Sequence, residues 1–217
     1  MAIQELIDRL RSEELGVDTV DADPLRQFKK WYGEALRAEV IQPDAMHLST
    51  VSAEGVPSGR LVLYKDPETH GLAVEGFLFF TNLNSPKARD ILRDPRVAAT
   101  FYWTLLGRQV RIEGGAKRAA DEAADRYFDM RPDASKLSAW ASPQSRVIED
   151  RASLLEAVER HRKRFEGKRV PRPDFWGGFV ITPSRMEFWK HREDRLHDRV
   201  LYERREDGGW SRRRLAP

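Results

Sequence analysis

Apolar residues recur at helical spacing near the start of the chain and at strand spacing through its middle. Ile3, Leu6, Ile7 and Leu10 lie three and four apart, the spacing of one helical face, ahead of a polar stretch at 16–23. Residues 1–22 are therefore expected as an N-terminal helix and a mobile segment. Asp23 and Pro24 form an N-cap and first-turn pair, and Leu25, Phe28, Tyr32 and Leu36 continue one face of a second helix. From Ala45 the period shortens to two, or to short apolar runs, at 46–51, 60–64, 78–81, 97–103 and 109–113, separated by Gly, Pro and Asn turns. Ser85 and Pro86 open a short helix over 85–92 between the third and fourth of these strands. Helical spacing returns over 119–130, where Pro132 disfavours helical geometry at Arg131, and again over 149–165. Strand-like runs follow at 175–181, 186–189, 199–204 and 210–215.

Strands lie on both sides of a helical insert without regular strand–helix alternation. That order predicts an α+β fold, an antiparallel barrel with peripheral helices, formed as one domain by residues 23–217.

Composition narrows the chemistry. The 217 residues contain no Cys, which removes disulfides, thiolate nucleophiles and Cys-ligated metal sites and suits a reducing cytoplasmic setting. The first ten residues carry Glu5 and Asp8, unlike a secretory signal, and no run approaches the ~20 apolar residues that cross a bilayer. Net charge is only +3, so neither a nucleic-acid nor a membrane partner is demanded. His47, His70, His161 and His191 have no ligand-like spacing, and no metal site is expected.

Three groups of residues carry candidate chemistry. In an extended strand Arg195, His197 and Arg199 project to one side as a cationic row, although an edge strand charged against aggregation has the same pattern. Tyr127 and Arg131 share a helical face, and Ser135 is placed to cap a further short helix over 136–140, so hydroxyl, guanidinium and helix start could converge on an anion. Ser85-Pro86-Lys87 offers a second helix start with an adjacent ammonium, within reach of Arg60. Capping and surface charge account equally well for each of the last two groups alone. Arg60 and Lys65 are an odd number apart, so a regular strand aims them at opposite faces; either a bulge or separate contacts must reconcile them if both serve one site.

In this order, several motifs resemble the pyridoxamine 5'-phosphate oxidase family over about residues 23–217: Asp23-Pro24-Leu25 with Phe28, Arg60 through Lys65, Phe80-Thr81-Asn82 with Lys87, and Arg108-Gln109-Val110. The match continues with Tyr127, Arg131-Pro132, Ser135, Gln144-Ser145, Phe175-Trp176-Gly177-Gly178-Phe179, Arg195 through Arg199, and Arg214-Leu215-Ala216-Pro217. The resemblance implies a split β-barrel homodimer that binds flavin mononucleotide (FMN) between subunits and oxidises pyridoxamine or pyridoxine 5'-phosphate to pyridoxal 5'-phosphate with O2 as acceptor. It implies that Arg60, Lys65, Thr81, Lys87, Gln109, Gln144, Ser145, Trp189 and Arg199 hold the flavin. It assigns Lys65, Tyr127, Arg131, Ser135, Arg195 and His197 to the substrate, with Arg195 and His197 placing the reacting carbon. The competing expectations are a same-fold oxidase acting on a phenazine-type ring, a non-catalytic flavin or haem carrier, and a basic nucleic-acid binder.

The chain departs from the family pattern in four places. Pro86 stands where a second basic residue usually precedes Lys87, and Trp189-Lys190-His191 replaces Trp-Gln-Gly. The loop between Lys65 and Phe77 is longer than usual, and no Arg-x-x-Tyr matches around residues 9–13.

Overall fold

A computed structural model describes residues 2–217. Its helices are α1 (Ile3–Ser12), α2 (Pro24–Arg37), α3 (Pro86–Arg93), α4 (Asp121–Met130), α5 (Asp133–Ala141) and α6 (Arg151–Arg164). Its strands are β1 (Ala45–Val51), β2 (Pro57–Lys65), β3 (Phe77–Asn82), β4 (Arg96–Trp103), β5 (Arg108–Arg118), β6 (Trp176–Lys190), β7 (Asp198–Arg204) and β8 (Trp210–Arg214). All pairings are antiparallel, in the order β3-β2-β1-β4-β5-β6-β7-β8, and β3 also pairs with β6. The last pairing closes six strands into a barrel and leaves β7 and β8 as an extension. The expected α+β barrel with peripheral helices is the observed fold.

Alternation fills the barrel. Met46 and Leu48, Val62 and Tyr64, Phe101 and Trp103, Val110 and Ile112, and Met186 and Phe188 all point inward and are buried. Phe28 of α2 plugs one end, with ring centroids 4.8 Å from Phe77, 4.9 Å from Phe101 and 5.3 Å from Tyr64. Asp23 caps α2 through the Leu25 amide at 2.8 Å. The buried stripe of α2 is Phe28, Trp31 and Ala35 rather than the expected run ending at Leu36, which is half exposed, because Trp31 turns toward Phe188 at 5.2 Å.

The N-terminal segment shares this core through Ile7, Leu10, Leu15 and Val20. Buried Arg108 ties it to the barrel, binding Glu34 of α2, Glu13 and the Leu10 carbonyl while stacking 4.6 Å over Trp31. A buried guanidinium is tolerated when carboxylates and carbonyls satisfy its terminal nitrogens in this way, although its Nε is left without a partner.

Two expected strands, 175–181 and 186–189, are one strand, β6. Pro183 reads as a break because it cannot donate to a ladder. A bulge in the β5–β6 register at Glu113/Gly114 accommodates it, with Gly114 opposite Pro183. A Cβ on Gly114 would lie 2.2 Å from the Thr182 carbonyl oxygen and 2.9 Å from Pro183 Cα, whereas one on Gly115 would meet nothing within 4 Å. Gly114→Ala is therefore expected to cost about 1–3 kcal/mol, and Gly115→Ala to stay within about 0.5 kcal/mol of the parent, both read by urea denaturation. Equal losses would remove the close-approach argument.

Candidate functional site

A cleft of about 400 Å3 lies against the outer side of β2 and β3, below α4 and α5. Strand alternation builds its floor. While Val62 and Tyr64 point into the barrel, Leu61, Leu63 and Lys65 point out, leaving Leu61 67% exposed in the chain alone. Arg60 shares the inward parity of Val62, and the β1–β2 ladder runs unbroken from Pro57 to Leu63. No bulge reconciles Arg60 with Lys65; they face opposite ways. Lys65 lines the cleft and bonds Asp44 at 2.8 Å, whereas Arg60 donates to Thr50 Oγ1 at 2.8 Å and to the Leu48 carbonyl.

Lys87, in the first turn of α3, enters the cleft beside Thr81 and Gln144. Its Nζ donates to Gln144 Oε1 at 2.9 Å, Thr81 Oγ1 at 3.1 Å and Ser85 Oγ at 3.2 Å, all neutral oxygens. Burial, reinforced by the nearby charge of Arg60, pulls its pKa down to about 8. Ser145, beside Gln144, holds a left-handed backbone at φ 67°, which a non-glycine residue adopts at a cost of about 1–3 kcal/mol.

Arg131 caps the C-terminus of α4, one turn after Tyr127. Its guanidinium lies 5.1 Å from the Trp176 ring and 5.4 Å from Phe128, and its NH1 is buried without a partner. Burial draws its pKa below the usual value. Phe80 stacks on Tyr127, at 4.4 Å and 2°, and on Trp176, at 5.1 Å and 5°, whose own rings lie 6.2 Å apart. A buried, unpaired guanidinium nitrogen forfeits hydration with nothing in return, so NH1 still has a hydrogen bond to give. The expected cap by Ser135 is not formed: α5 begins at Asp133, after Pro132, and the Ser135 amide already bonds the Pro132 carbonyl at 2.9 Å. The fixed φ of Pro132 starts the helix early, leaving Ser135 only its hydroxyl to offer.

The remaining candidates lie elsewhere on the chain. Gln109, Trp189 and Arg199 sit in one lateral register across β5, β6 and β7, with side chains on the outer face. None lines the cleft. Arg199 Nε donates to buried Glu187 at 2.8 Å, and its NH1 to the Ala216 carbonyl. The expected extended row of Arg195, His197 and Arg199 is not observed. Strand β7 starts at Asp198, and Asp194 and Arg195 have left-handed φ values of 53° and 60°, so both Arg195 and His197 belong to the preceding turn. His197 still joins the row, its ring 4.6 Å from Trp189.

Sequence reasoning gave no site role to four contributors: Asp44 and Glu187, which it did not name, and Phe80 and Trp176, which it named only within the matched motifs. The carboxylates are remote in sequence from the cations they hold, so no local spacing marks them. Glu187 carried one usable signal, since it stands two positions before Trp189 and hence on the same strand face.

Comparison with known proteins bears on these groups together. The family model for pyridoxamine 5'-phosphate oxidase matches residues 32–165, and that for the pyridoxine 5'-phosphate oxidase C-terminal dimerisation region matches residues 176–217. The chain belongs to the pyridoxamine 5'-phosphate oxidase family. It is 50% identical over 203 residues to the pyridoxine/pyridoxamine 5'-phosphate oxidase of Rubrobacter xylanophilus, covering 94% of this chain and 91% of that one. It is 46% identical over 203 residues to the corresponding oxidase of Ralstonia pickettii, covering 94% and 93%. Among solved structures it is similar to PhzG from Burkholderia lata in complex with tetrahydrophenazine-1-carboxylic acid, with TM-score 0.85, 27% identity and coverage of 95% and 100%. An FMN-binding protein from Nostoc punctiforme shares the fold, with TM-score 0.71, 17% identity and coverage of 91% and 100%.

As an oxidase-family member the chain presents two cations, Lys87 and Arg131, that no carboxylate neutralises in the cleft. Below pH of about 8 Lys87 is charged and above it neutral, so anion affinity should fall as pH rises through that value. Sulfate, whose charge is constant over this range, should bind more weakly at about pH 9 than at about pH 7, and Lys87→Met should remove that step. Calorimetric titration showing the same step in the variant would exclude Lys87 as its source.

Proposed function

We propose that the chain is an FMN-dependent oxidase that converts pyridoxamine or pyridoxine 5'-phosphate to pyridoxal 5'-phosphate with O2 as electron acceptor, acting as a homodimer. The observation that carries this reading is the buried, unpartnered NH1 of Arg131, stacked on Trp176 in a cleft that also holds Lys87 among neutral oxygens. Two uncompensated cations beside an apolar and aromatic floor suit two phosphorylated ring compounds, each needing one anion site.

The residues fit FMN. Lys87 and Thr81, with Gln144 and Ser145 beside them, would hold its phosphate, and Arg60 raises the positive potential behind Lys87. Leu61 and Leu63 offer a flat apolar bed. When bound, the flavin supplies the two-electron acceptor that the protein side chains lack. Arg131, Tyr127, Ser135 and Lys65 would take the phosphate of the substrate. The Asp44 carboxylate holds the Lys65 ammonium at one point of the cleft wall, limiting the freedom lost on binding.

Gln109, Trp189 and Arg199, with Arg195 and His197, do not line the cleft of their own chain. They reach it from a second copy, a reading supported by the matched dimerisation region, which contains four of these five residues. There Gln109, Trp189 and Arg199 would contact the flavin, while Arg195 and His197 would orient the substrate ring. Glu187 fixes the Arg199 guanidinium in place and offsets part of its charge.

A phenazine-type ring is the competing substrate, favoured by the likeness to the Burkholderia lata structure. A flavin carrier without turnover is the other alternative. The purified protein should show a flavin absorbance spectrum and oxidise pyridoxamine 5'-phosphate. Arg131→Leu should raise the Michaelis constant about ten- to a hundred-fold with flavin retained, since a charge-assisted hydrogen bond is worth about 1.5–3 kcal/mol. Arg199→Leu should instead weaken flavin retention. A colourless protein, or loss of flavin from Arg131→Leu with unchanged substrate kinetics, would overturn the assignment.

A further inference from the structure

The turn before β7 is braced by the N-terminal segment through one residue, Arg192. Its Nε donates to Asp198 Oδ2 at 2.7 Å and its NH2 to the Glu13 carbonyl at 2.8 Å. Its backbone N–H donates to His197 Nδ1 at 3.0 Å. Arg214 holds the other oxygen of Asp198 at 2.9 Å, and the buried Lys190 ammonium grips the Leu10 and Glu13 carbonyls at the end of α1. The His191 amide bonds the Gly107 carbonyl at 2.8 Å. The turn is thus pinned at both ends, although Asp194 and Arg195 within it adopt left-handed backbone without glycine.

These contacts fix a chemical property of His197. A backbone N–H can only donate, so Nδ1 must accept, and the neutral imidazole then carries its proton on Nε2. Among the described residues Nε2 has no hydrogen-bond partner within the chain, while the ring packs against Trp189 at 4.6 Å and His191 at 5.2 Å. We propose that His197 acts on substrate as an Nε2–H donor, not as a proton acceptor, and that Arg192 is the positioning residue that sets this tautomer by clamping the turn to α1 and Asp198. This rests on the oxidase reading above and adds a direction to it. The donor would meet an oxygen of the substrate ring, the hydroxyl that a pyridoxamine ring presents. Proton removal during oxidation must then use another acceptor, since the one basic nitrogen of neutral His197 is already engaged.

Imidazole 15N spectra of the full-length, flavin-loaded protein, selectively labelled at histidine and recorded where His197 is neutral, test the assignment directly. The expected result for His197 is an unprotonated Nδ1 and a protonated Nε2, without tautomeric averaging. A protonated Nδ1, or averaged signals, would overturn it. Arg192→Ala keeps the amide but removes the clamp, so the two nitrogens should begin to average and kcat should fall about ten-fold, with the Michaelis constant and flavin content little changed. Arg192→Lys should restore the single tautomer by re-forming the pair with Asp198. Unchanged ring signals in Arg192→Ala would sink the positioning role. The spectra do not depend on turnover: a protein inactive on pyridoxamine 5'-phosphate but with Nε2-protonated His197 refutes the proposed reaction and leaves the tautomer assignment standing.

Discussion

Pairing of β3 with β6 is the constraint on which the cleft depends. Phe77 to Asn82 run against Ile181 to Trp176 without interruption, closing the barrel and setting Thr81 beside Gly177 and Phe80 beside Gly178. The closure packs tightly at those glycines: a Cβ on Gly178 would lie 2.8 Å from the Phe80 ring, and one on Gly177, at 3.1 Å, would push the end of the Leu83 side chain. Phe80 can then lie flat against both Tyr127 and Trp176, and Trp176 provides the face on which Arg131 rests. The Ala119 amide bonds the Gly178 carbonyl at 2.9 Å, so the chain enters α4 from the same closure. Backbone pairing thereby determines where the Arg131 guanidinium sits.

Charge compensation sorts the basic residues by use. Arg108 is held by Glu34 and Glu13, Lys65 by Asp44, and Arg199 by Glu187. A carboxylate at contact distance cancels much of the field such a group could offer a ligand, while fixing its position. Lys87 and Arg131 have no carboxylate partner, and burial depresses the pKa of both. In the proposed site the compensated cations would supply positional accuracy and the uncompensated ones anion affinity. One cleft can contain both because Asp44 precedes β1, where its side chain reaches Lys65 without approaching Arg131.

Much of the fold was legible because strand alternation survives in this chain: inward Val62 and Tyr64 with outward Leu61 and Leu63 is a pattern the sequence displays. Pro183 hid the continuity of β6, since a bulge and its opposing Gly114 can be recognised only once β5 is known to be the partner. The row of Arg195, His197 and Arg199 fits an extended strand by spacing alone for a related reason. Asp194 and Arg195 take left-handed backbone with no glycine or proline to announce it, and charged residues alone do not separate a turn from an exposed edge. The basic residues of the site stood out as clusters. Their carboxylate partners and the Phe80–Trp176 stack did not, because each joins positions that only the barrel brings together.

A working site of the proposed kind would take the cleft of one chain and the Gln109–Trp189–Arg199 row of another. Two impaired variants, Arg131→Leu and Arg199→Leu, can be co-assembled and assayed at substrate and flavin concentrations so low that each alone turns over little. In a mixed dimer one site would carry both substitutions and the other neither, so random pairing should recover about a quarter of the parent activity under conditions where neither variant alone shows much. Failure to recover activity in demonstrated mixed dimers would place both residues in a site formed by a single chain and contradict the account.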